Sequence, residues 1–287
     1  MMPEISIHVP SDLTTRPDQL RGYLTEDIGF GDISSYVLPE GKEGKAEIFT
    51  KEVCTIAGIE EAAAIFGMLA IPVKQCVSDG EVIEKGKRVL EVHGDLRSML
   101  AGERTALNIL SRMSGIATLT RDLVTKARSV NPTVRIACSR KTTPGFRFFE
   151  KKAVILGGGD PHRFRLDDCI MLKDNHLKAS GSIATIVARA REFSFSKKVE
   201  IEVETLKQAR EAVAAGADII MLDNMTPDSA MEGYRFIKDL DPRTIVEISG
   251  GITPDNILSY AGYADVISLG YLTHSYRSID LSMEMLS

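Results

Sequence analysis

After Asn131 the chain alternates between short β-rich runs and helix-like stretches, and this alternation constrains the fold more than any other feature of the sequence. The β-rich runs are VRIACS (134–139), CIMLK (169–173), VEIEVE (199–204), DIIMLD (218–223), TIVEIS (244–249) and DVISLG (265–270). Strand, helix and strand at this spacing are typical of right-handed βαβ units, whose strands form a parallel sheet.

Local signals mark where several of the intervening helices begin and end. Thr226-Pro227 and Thr253-Pro254 each predict a helix start, with threonine as the N-cap and proline at the first helical position. Gly216 stands where a helix should end. In the first part of the chain we expect strands within 45–58, a helix over 59–70 and a hairpin-rich stretch over 73–94. Residues 96–130 predict one or two long helices, and Gly115 is the break if there are two.

Polar residues stand at or just after the ends of five β-rich runs, and a glycine ends the sixth, in each case at the end from which the helix leaves. They are Ser139-Arg140-Lys141, Lys173-Asp174-Asn175, Glu202 and Glu204, Asp223-Asn224, Ser249-Gly250-Gly251, and Gly270. Active sites of α/β barrels are built at this rim, whereas an open dinucleotide-binding sheet would carry a GxGxxG after a strand, and none does. Because six strands are fewer than the eight of a closed barrel, we predict an incomplete α/β barrel.

We predict two domains. An N-terminal α/β domain spans residues 1–110, the incomplete α/β barrel spans residues 111–274 and carries the active site, and residues 275–287 pack on the N-terminal domain. Within the barrel, Gly250-Gly251 and Gly270 follow the last two strands, where barrels often bind phosphate with backbone N–H groups.

Carboxylates at the strand ends are candidates for binding a metal ion or hydroxyl groups. Glu200, Glu202 and Glu204 share one face of a strand because side chains alternate with a period of two. On an exposed strand that face would only be solvated, but both faces of a parallel βα strand are normally covered, so these carboxylates need partners. Asp223 could cap the next helix, yet Thr226 can supply that cap, which leaves Asp223 available for chemistry.

Cations cluster at the same rim. Arg140, Lys141, His162, Arg163 and Lys173 all lie near strand ends in a chain whose formal net charge is −5. Each would ordinarily be a solvated or structural residue, but together they reverse the sign of the charge locally. Such a reversal favours a polyanionic ligand, such as a carboxylate or phosphate held by arginine. Neighbouring carboxylates would then hold Mg²⁺, which bridges phosphate oxygens.

Composition excludes other classes of function. The acidic balance, with a pI near 5.7, disfavours a general nucleic-acid binder, and no apolar run approaches the ~20 residues that span a membrane. The first residues lack the pattern of a signal peptide, and the four cysteines form no CxxC pair. We therefore expect a cytoplasmic protein with reduced thiols, no zinc site, no nucleic acid and no membrane among its partners.

The motifs resemble those of a known family, quinolinate phosphoribosyltransferase. The matching blocks are EDIGFGDISS (26–35), GERTALNILSRMSGIATLT (102–120), SRKTTPGFRFFEKKAV (139–154), GGGDPHRFRLDDCIMLKDNH (157–176), VEIEVETL, DIIMLDNMTP and EISGGI. They occur in order between about residues 25 and 274. The resemblance implies an N-terminal α/β sandwich-like domain beside an incomplete barrel, and a homodimer with shared active sites that in some members assembles into a hexamer.

The resemblance also implies roles for individual residues. Arg140, His162, Arg163 and Lys173 would hold the two carboxylates of quinolinate, with Arg104 reaching in from the partner subunit. Lys141 would face phosphoribosyl pyrophosphate, and Glu202 and Asp223 would contact the ribose hydroxyls and Mg²⁺. Residues that would line the 5′-phosphate site are Ser249, Gly250, Gly251, Gly270 and His274. Ser139 stands where the family usually has threonine, and both residues offer a hydroxyl.

The implied reaction is Mg²⁺-dependent transfer of the phosphoribosyl group to quinolinate, with loss of CO₂. Lys141, Glu202 and Asp223 would be the catalytic residues. Three alternatives stay open at this point: a relative of the same fold with another acceptor, a barrel aldolase in which Lys173 forms a Schiff base, and a nucleotide sensor that binds without turnover.

Overall fold

The computed structural model describes residues 16–286, which divide into two compact units. The first unit contains the described residues up to Arg121, together with Phe148–Gly158 and the chain from Tyr276 onward. The second unit contains Asp122–Arg147 and Gly159–Ser275.

Regular elements cover most of the described chain. In order they are α1 (Pro17–Ile28), a short 3-10 helix (Ser35–Val37), β1 (Glu43–Thr50), β2 (Cys54–Thr55), α2 (Ile59–Met68), β3 (Val73–Gln75), β4 (Val82–Ile83), β5 (Arg88–Asp95), α3 (Leu96–Arg128), β6 (Arg135–Cys138), α4 (Arg147–Leu156), β7 (Ile170–Leu172), α5 (Asp174–Ser180), α6 (Ile183–Phe193), β8 (Val199–Val203), α7 (Leu206–Ala214), β9 (Ile219–Asp223), α8 (Pro227–Leu240), β10 (Ile245–Ser249), α9 (Leu258–Ala261), β11 (Val266–Leu269), α10 (Tyr271–His274) and β12 (Leu281–Leu286).

The first unit is built on an antiparallel sheet with the strand order β12-β1-β5-β3. Ile48 pairs with Leu90 and Ala46 with Val92, and all four side chains are buried. Alternation of apolar and polar residues along β1 therefore buries one face of the sheet and exposes the other. Since β12 pairs with β1, the end of the chain completes this sheet.

Residues 96–128 form one continuous helix, so the break considered at Gly115 does not occur. The glycine is required for another reason. A Cβ at position 115 would overlap the carbonyl oxygen of Arg277, so the helix accepts the segment before β12 only because this residue has no side chain.

The second unit is a six-stranded, all-parallel sheet with the order β6-β11-β10-β9-β8-β7. Strands β6 and β7 are its two edges, so the barrel is incomplete. Asp160 forms a parallel bridge with Ala137 of β6, which places the segment after α4 at this edge. All six β-rich runs of the sequence form strands at or within one residue of the expected bounds.

Two of the three local helix signals behave as predicted. Thr226 accepts a hydrogen bond from the Ser229 N–H at the start of α8, and Gly216 adopts φ +78° just after α7. Thr253-Pro254 does not begin the next regular helix, which starts only at Leu258. The backbone N–H of Thr253 donates to the Asn256 side chain, and this local turn competes with the helix.

Strand β8 shows how the second unit brings charge into its interior. Val199, Ile201 and Val203 are buried, and they alternate with Glu200 and Glu202, which line the cavities described below. Glu204, expected on the same face, follows the strand and is exposed. Two of the three predicted carboxylates therefore point inward.

None of the helices within residues 16–286 combines the length and apolar character that a membrane crossing requires. The four cysteines are free thiols, two of them buried and two half-buried.

A buried ion pair joins two helices of the first unit. The Lys152 ammonium on α4 lies 2.7 Å from a carboxylate oxygen of Glu61 and 2.7 Å from one of Glu60, both on α2. Lys152 and Glu61 are almost fully buried, whereas the Glu60 side chain is 56% exposed. Burial raises the pKa of Glu61, and the lysine opposes that shift. Removing the lysine would therefore leave Glu61 buried without its cation.

We predict that Lys152→Met lowers the free energy of unfolding by about 3–5 kcal/mol at neutral pH, because a buried carboxylate loses its partner. The loss should be smaller near pH 4, where protonation of Glu61 removes its charge. Urea denaturation at both pH values measures it.

Two further variants serve as controls. Lys74→Met removes an exposed pair with Glu91 and should change stability by at most about 1 kcal/mol. The double variant Lys152→Met/Glu61→Leu should recover most of the loss. An equal loss for the exposed and the buried lysine would contradict a role for burial.

Candidate active site

One cavity of about 640 Å³ opens at the carboxyl ends of the parallel strands of the second unit. It is lined by all of the predicted site residues except Arg104. These residues are Ser139, Arg140, Lys141, His162, Arg163, Lys173, Glu202, Asp223, Ser249, Gly250, Gly251, Gly270 and His274. The convergence follows from the parallel topology, because strand ends that carry polar residues meet at one rim.

Arg104 is exposed on α3 in the first unit and is not among the residues that line this cavity. Its predicted role depends on a second copy of the chain and stays a prediction.

Guanidinium groups crowd one side of the cavity. Burial, and then the positive charges of Arg147 and Arg163, lower the pKa of Arg140. The Arg140 Nε atom is buried and has no hydrogen-bond partner among the described residues. Arg147 is held by the Thr142 hydroxyl at 3.0 Å and the Phe164 carbonyl at 3.1 Å. Like charges held this close without a carboxylate partner for Arg140 favour binding of an anion.

Acidic groups occupy the neighbouring strands. The Lys173 ammonium after β7 donates to the Glu202 carboxylate on β8, so two residues predicted to contact different parts of the substrates are paired with each other. Burial, and then the charge of Glu202, raise the pKa of Asp223 at the end of β9. The Asn224 side-chain amide donates to Asp223 at 2.6 Å and opposes that shift.

Three glycines allow the backbone to line the cavity closely. Gly250 and Gly251 have φ values of +88° and +63°, a conformation that few other residues adopt. A Cβ at Gly250 would overlap the Asn224 side chain, and one at Gly270 would lie 2.8 Å from His274 Nε2 and 2.9 Å from Lys141 Cδ. The backbone at both loops can therefore approach a ligand that a side chain would exclude.

His162 lies where the cavity meets the barrel interior. It has φ +50°, unusual for a residue with a side chain. Its Nδ1 accepts a hydrogen bond from the Arg163 N–H at 2.7 Å, and its Nε2 lies 3.1 Å from Glu247 and 3.7 Å from Glu200. Burial, and then the Glu247 carboxylate, raise the pKa of Glu200 to about 7.

Sequence reasoning missed several residues that line the cavity. Met171, Met221, Glu247 and Ser268 each lie on a strand, two positions before a predicted site residue that ends or directly follows the same strand. The period-two alternation of a strand could have identified them, because residues i and i+2 share a face. Asn224 and Tyr271 are further lining residues, directly after predicted ones.

The carboxylates of the cavity suit Mg²⁺ in number and kind. Mg²⁺ in phosphate-handling sites is typically bound by one or two carboxylates together with substrate phosphates and water. Glu202 and Asp223 lie on adjacent strands and line the same cavity, and the charge of Glu202 raises the pKa of Asp223. They fit such a site, with the remaining ligands supplied by a substrate.

Comparison with known proteins assigns both parts of the chain to one family. Residues 32–114 match the model "Quinolinate phosphoribosyl transferase, N-terminal domain", and residues 116–284 match the corresponding C-terminal domain. A probable nicotinate-nucleotide pyrophosphorylase [carboxylating] from Methanocaldococcus jannaschii is 48% identical, over 93% of this chain and 95% of its own length. The human nicotinate-nucleotide pyrophosphorylase [carboxylating] is 39% identical, over 92% and 89%.

Solved structures agree with the sequence comparison. The nicotinate-nucleotide pyrophosphorylase from Francisella tularensis superposes with a TM-score of 0.90 at 34% identity, covering 97% of this chain and 98% of that one. A structure from Streptococcus pyogenes gives a TM-score of 0.88 at 40% identity, covering 94% and 96%. The chain belongs to the quinolinate phosphoribosyl transferase family and is a phosphoribosyltransferase.

Proposed function

We propose that this enzyme transfers the phosphoribosyl group of phosphoribosyl pyrophosphate to the ring nitrogen of quinolinate, in a reaction that depends on Mg²⁺. The products are nicotinate mononucleotide, pyrophosphate and CO₂, as in de novo NAD biosynthesis. The cytoplasmic location expected from the sequence stays a prediction. The observation that carries the proposal is the arrangement of Arg140 and Arg163 beside Glu202 and Asp223 in one cavity.

Quinolinate fits the cationic side of the cavity. It is a planar dianion at neutral pH, and guanidinium groups bind carboxylates through paired hydrogen bonds. Arg163 is close enough for its charge to lower the pKa of Arg140, and the Arg140 Nε lacks a hydrogen-bond partner among the described residues. A second carboxylate on the ligand would explain why the cavity holds more cations than a monoanion needs.

Phosphoribosyl pyrophosphate fits the opposite side. Gly250, Gly251 and Gly270 would receive the 5′-phosphate on backbone N–H groups, since no side chain blocks their approach. Asp223 and Glu202 would accept hydrogen bonds from the ribose hydroxyls. Lys141 would contact the pyrophosphate, and its backbone is fixed by the Ser139 and Thr273 hydroxyls at 3.1 Å and 2.8 Å.

Bond formation at the ribose requires stabilisation of positive charge. As the C1–pyrophosphate bond breaks, C1 gains oxocarbenium character, which the nearby carboxylates of Glu202 and Asp223 would stabilise. Lys141 would neutralise the charge that develops on the leaving group. Bound Mg²⁺ would supply further neutralisation of the phosphate oxygens.

Loss of CO₂ then follows from the chemistry of the ring. The quaternised nitrogen accepts the electron pair of the breaking C–CO₂⁻ bond, and the resulting C2 carbanion takes up a proton. The protein contributes by holding the ring in place, through the same cations that bind the carboxylates.

Assembly forms part of the proposal. Arg104 is exposed on α3 and does not line the cavity of its own second unit. We infer a homodimer in which Arg104 of the partner subunit completes the quinolinate site, with a hexamer as the larger assembly.

Turnover assays test the proposed reaction. Purified enzyme with phosphoribosyl pyrophosphate and Mg²⁺ should release CO₂ and form mononucleotide with quinolinate, but not with nicotinate. Addition of EDTA should abolish turnover, and excess Mg²⁺ should restore it. Turnover with nicotinate instead would show that the cations serve phosphates, and the acceptor assignment would be wrong.

Removing single cations tests the acceptor site. We expect Arg140→Ala and Lys173→Ala each to weaken quinolinate binding by about 1–3 kcal/mol, the scale of a lost charge-assisted hydrogen bond. Isothermal titration calorimetry measures the affinity directly. Arg165→Ala and Lys178→Ala remove exposed cations of the same unit that do not line the cavity, and they should leave the affinity unchanged. Unchanged affinity in both cavity variants would refute the assignment.

Substitution of Gly250 tests the donor site. Gly250→Ala should raise the KM for phosphoribosyl pyrophosphate at least about tenfold, because the new methyl group meets Asn224 and a positive φ costs an alanine roughly 1–2 kcal/mol. Quinolinate affinity in the absence of the donor should not change. Gly181→Ala is the matched control, since Gly181 has φ +86° but lies in open space outside the cavity. Equal effects of the two substitutions on this KM would contradict a donor-binding role for Gly250.

A further inference from the structure

We propose that Glu247 is a positioning residue, whose buried carboxylate holds the imidazole of His162 and, through it, the main chain of Arg163 at the floor of the cavity. The kinetic part of this inference rests on the proposed function, because quinolinate is its probe. The structural part does not.

Contacts of β10 and β8 with the segment that contains His162 carry the inference. Glu247 lies on β10 with a side chain only 2% exposed, and its Oε2 is 3.1 Å from His162 Nε2. Glu200 on β8 is 3.7 Å from the same nitrogen. A single imidazole thus meets carboxylates from two strands of the sheet.

The hydrogen bond at the other ring nitrogen fixes the tautomer. A backbone N–H can only donate, so the Arg163 N–H makes Nδ1 of His162 an acceptor. The ring proton of the neutral imidazole is then on Nε2, directed at Glu247. This assignment also disfavours a metal ion at His162, Glu200 and Glu247, although their ligand atoms all lie within 4.8 Å of one another, because Nε2 has no free lone pair in this tautomer.

The backbone of His162 is strained and is held from both sides. Its φ of +50° is one that residues with side chains adopt only when the surroundings impose it. The His162 N–H donates to Asp160 Oδ1 at 2.7 Å, and Asp160 is itself bridged to β6 and paired with Arg135 at 2.5 Å. Glu247 holds the imidazole ring of His162 at its Nε2 atom, while Asp160 holds the main chain of the same residue.

Stability alone does not account for Glu247. One of its carboxylate oxygens is buried and lacks a hydrogen-bond partner among the described residues, and the same is true of Glu200. Two buried carboxylates this close repel each other, and an apolar side chain of similar volume would usually be as stable or more so. Such a replacement would remove the hydrogen-bond acceptor for His162.

Three residues of this network lie between two cavities of the barrel. His162, Arg163 and Glu247 line the active-site cavity and also a second cavity of about 770 Å³ near the amino ends of the strands. An imidazole released from Glu247 could turn toward that second space. The imidazole would then no longer accept the hydrogen bond from the Arg163 N–H, and Arg163 would lose that support beside the quinolinate site.

Two substitutions of Glu247 distinguish the loss of its hydrogen-bond acceptor from a change in side-chain volume. Glu247→Met removes the acceptor and should raise the KM for quinolinate about tenfold, the scale of a hydrogen bond to a charged group, while the KM for phosphoribosyl pyrophosphate changes less than about twofold. Glu247→Gln keeps a side-chain oxygen that can accept from Nε2 and should recover most of the loss. Ile245→Val, two residues earlier on the same face of β10, is the control and should alter neither KM.

A spectroscopic measurement tests the inference without activity. In protein labelled with ¹⁵N-histidine, His162, assigned by comparison with His162→Gln, should show the Nε2–H tautomer in the unaltered enzyme and in Glu247→Gln. In Glu247→Met the ring turns toward the second cavity and no longer accepts from the Arg163 N–H, so that preference should be lost. An unchanged tautomer in Glu247→Met would overturn the proposal, whether or not the enzyme turns over quinolinate. Absence of turnover with the predicted tautomer changes would refute the proposed function alone. Equal kinetic losses for methionine and glutamine would overturn the acceptor role.

Discussion

The hydrogen-bond register of six parallel strands determines where the charged groups of the cavity lie. Ser249 pairs with Asp223 on one side and with Ser268 on the other, and Glu202 pairs with Met221. These pairings place one polar residue per strand at similar heights along the sheet. A shift of one residue in any strand would turn its polar side chains from the interior to the helix-covered face, where they would lack partners. Burial of the apolar face therefore also fixes the active site.

The barrel opens between β6 and β7, and that opening is where the cations lie. The segment after α4 runs along β6 through Asp160, then turns through the strained His162 into Arg163. Arg140 follows β6 itself. Cations thus come from the edge of the sheet, while the carboxylates of Glu202 and Asp223 come from strands within it. One side of the cavity is suited to an anionic acceptor, and the other to hydroxyls and a divalent cation.

Much of this was predictable because it depends on local sequence. Alternation of β-rich runs with helix-like stretches identified the six strands, and polar residues at their ends identified most of the charged lining of the cavity. Contacts made between distant segments were not predictable. The contact of His162 with Glu247 requires the sheet order, which places β6 beside β11 and β11 beside β10. The pairing of Lys173 with Glu202 depends on how two side chains pack at the ends of the neighbouring strands β7 and β8. The sequence left open whether Gly115 breaks the long helix, because a glycine in a helix can mark either a break or a close approach, and only the packed segment after Tyr276 decides between them.

Arg104 shows the limit in a different way, since its predicted role requires a second copy of the chain. The buried carboxylates show a second limit of prediction from sequence. Glu200 and Glu202 look alike in the sequence, yet Glu200 lies in the barrel interior and Glu202 at the rim. Alternation gives the face of a strand but not the depth along it at which a cavity begins. Depth is set by how neighbouring strands and the segment through His162 pack together.

The central claim is that the cation cluster of the second unit binds the two carboxylates of quinolinate. A crystal structure of the enzyme with quinolinate tests it most directly. The account predicts one ring in the cavity, with its carboxylates within hydrogen-bond distance of Arg140 and of Arg163 or Lys173. Quinolinate bound only in the second cavity at the amino ends of the strands, or only through the Gly250-Gly251 loop, would contradict it.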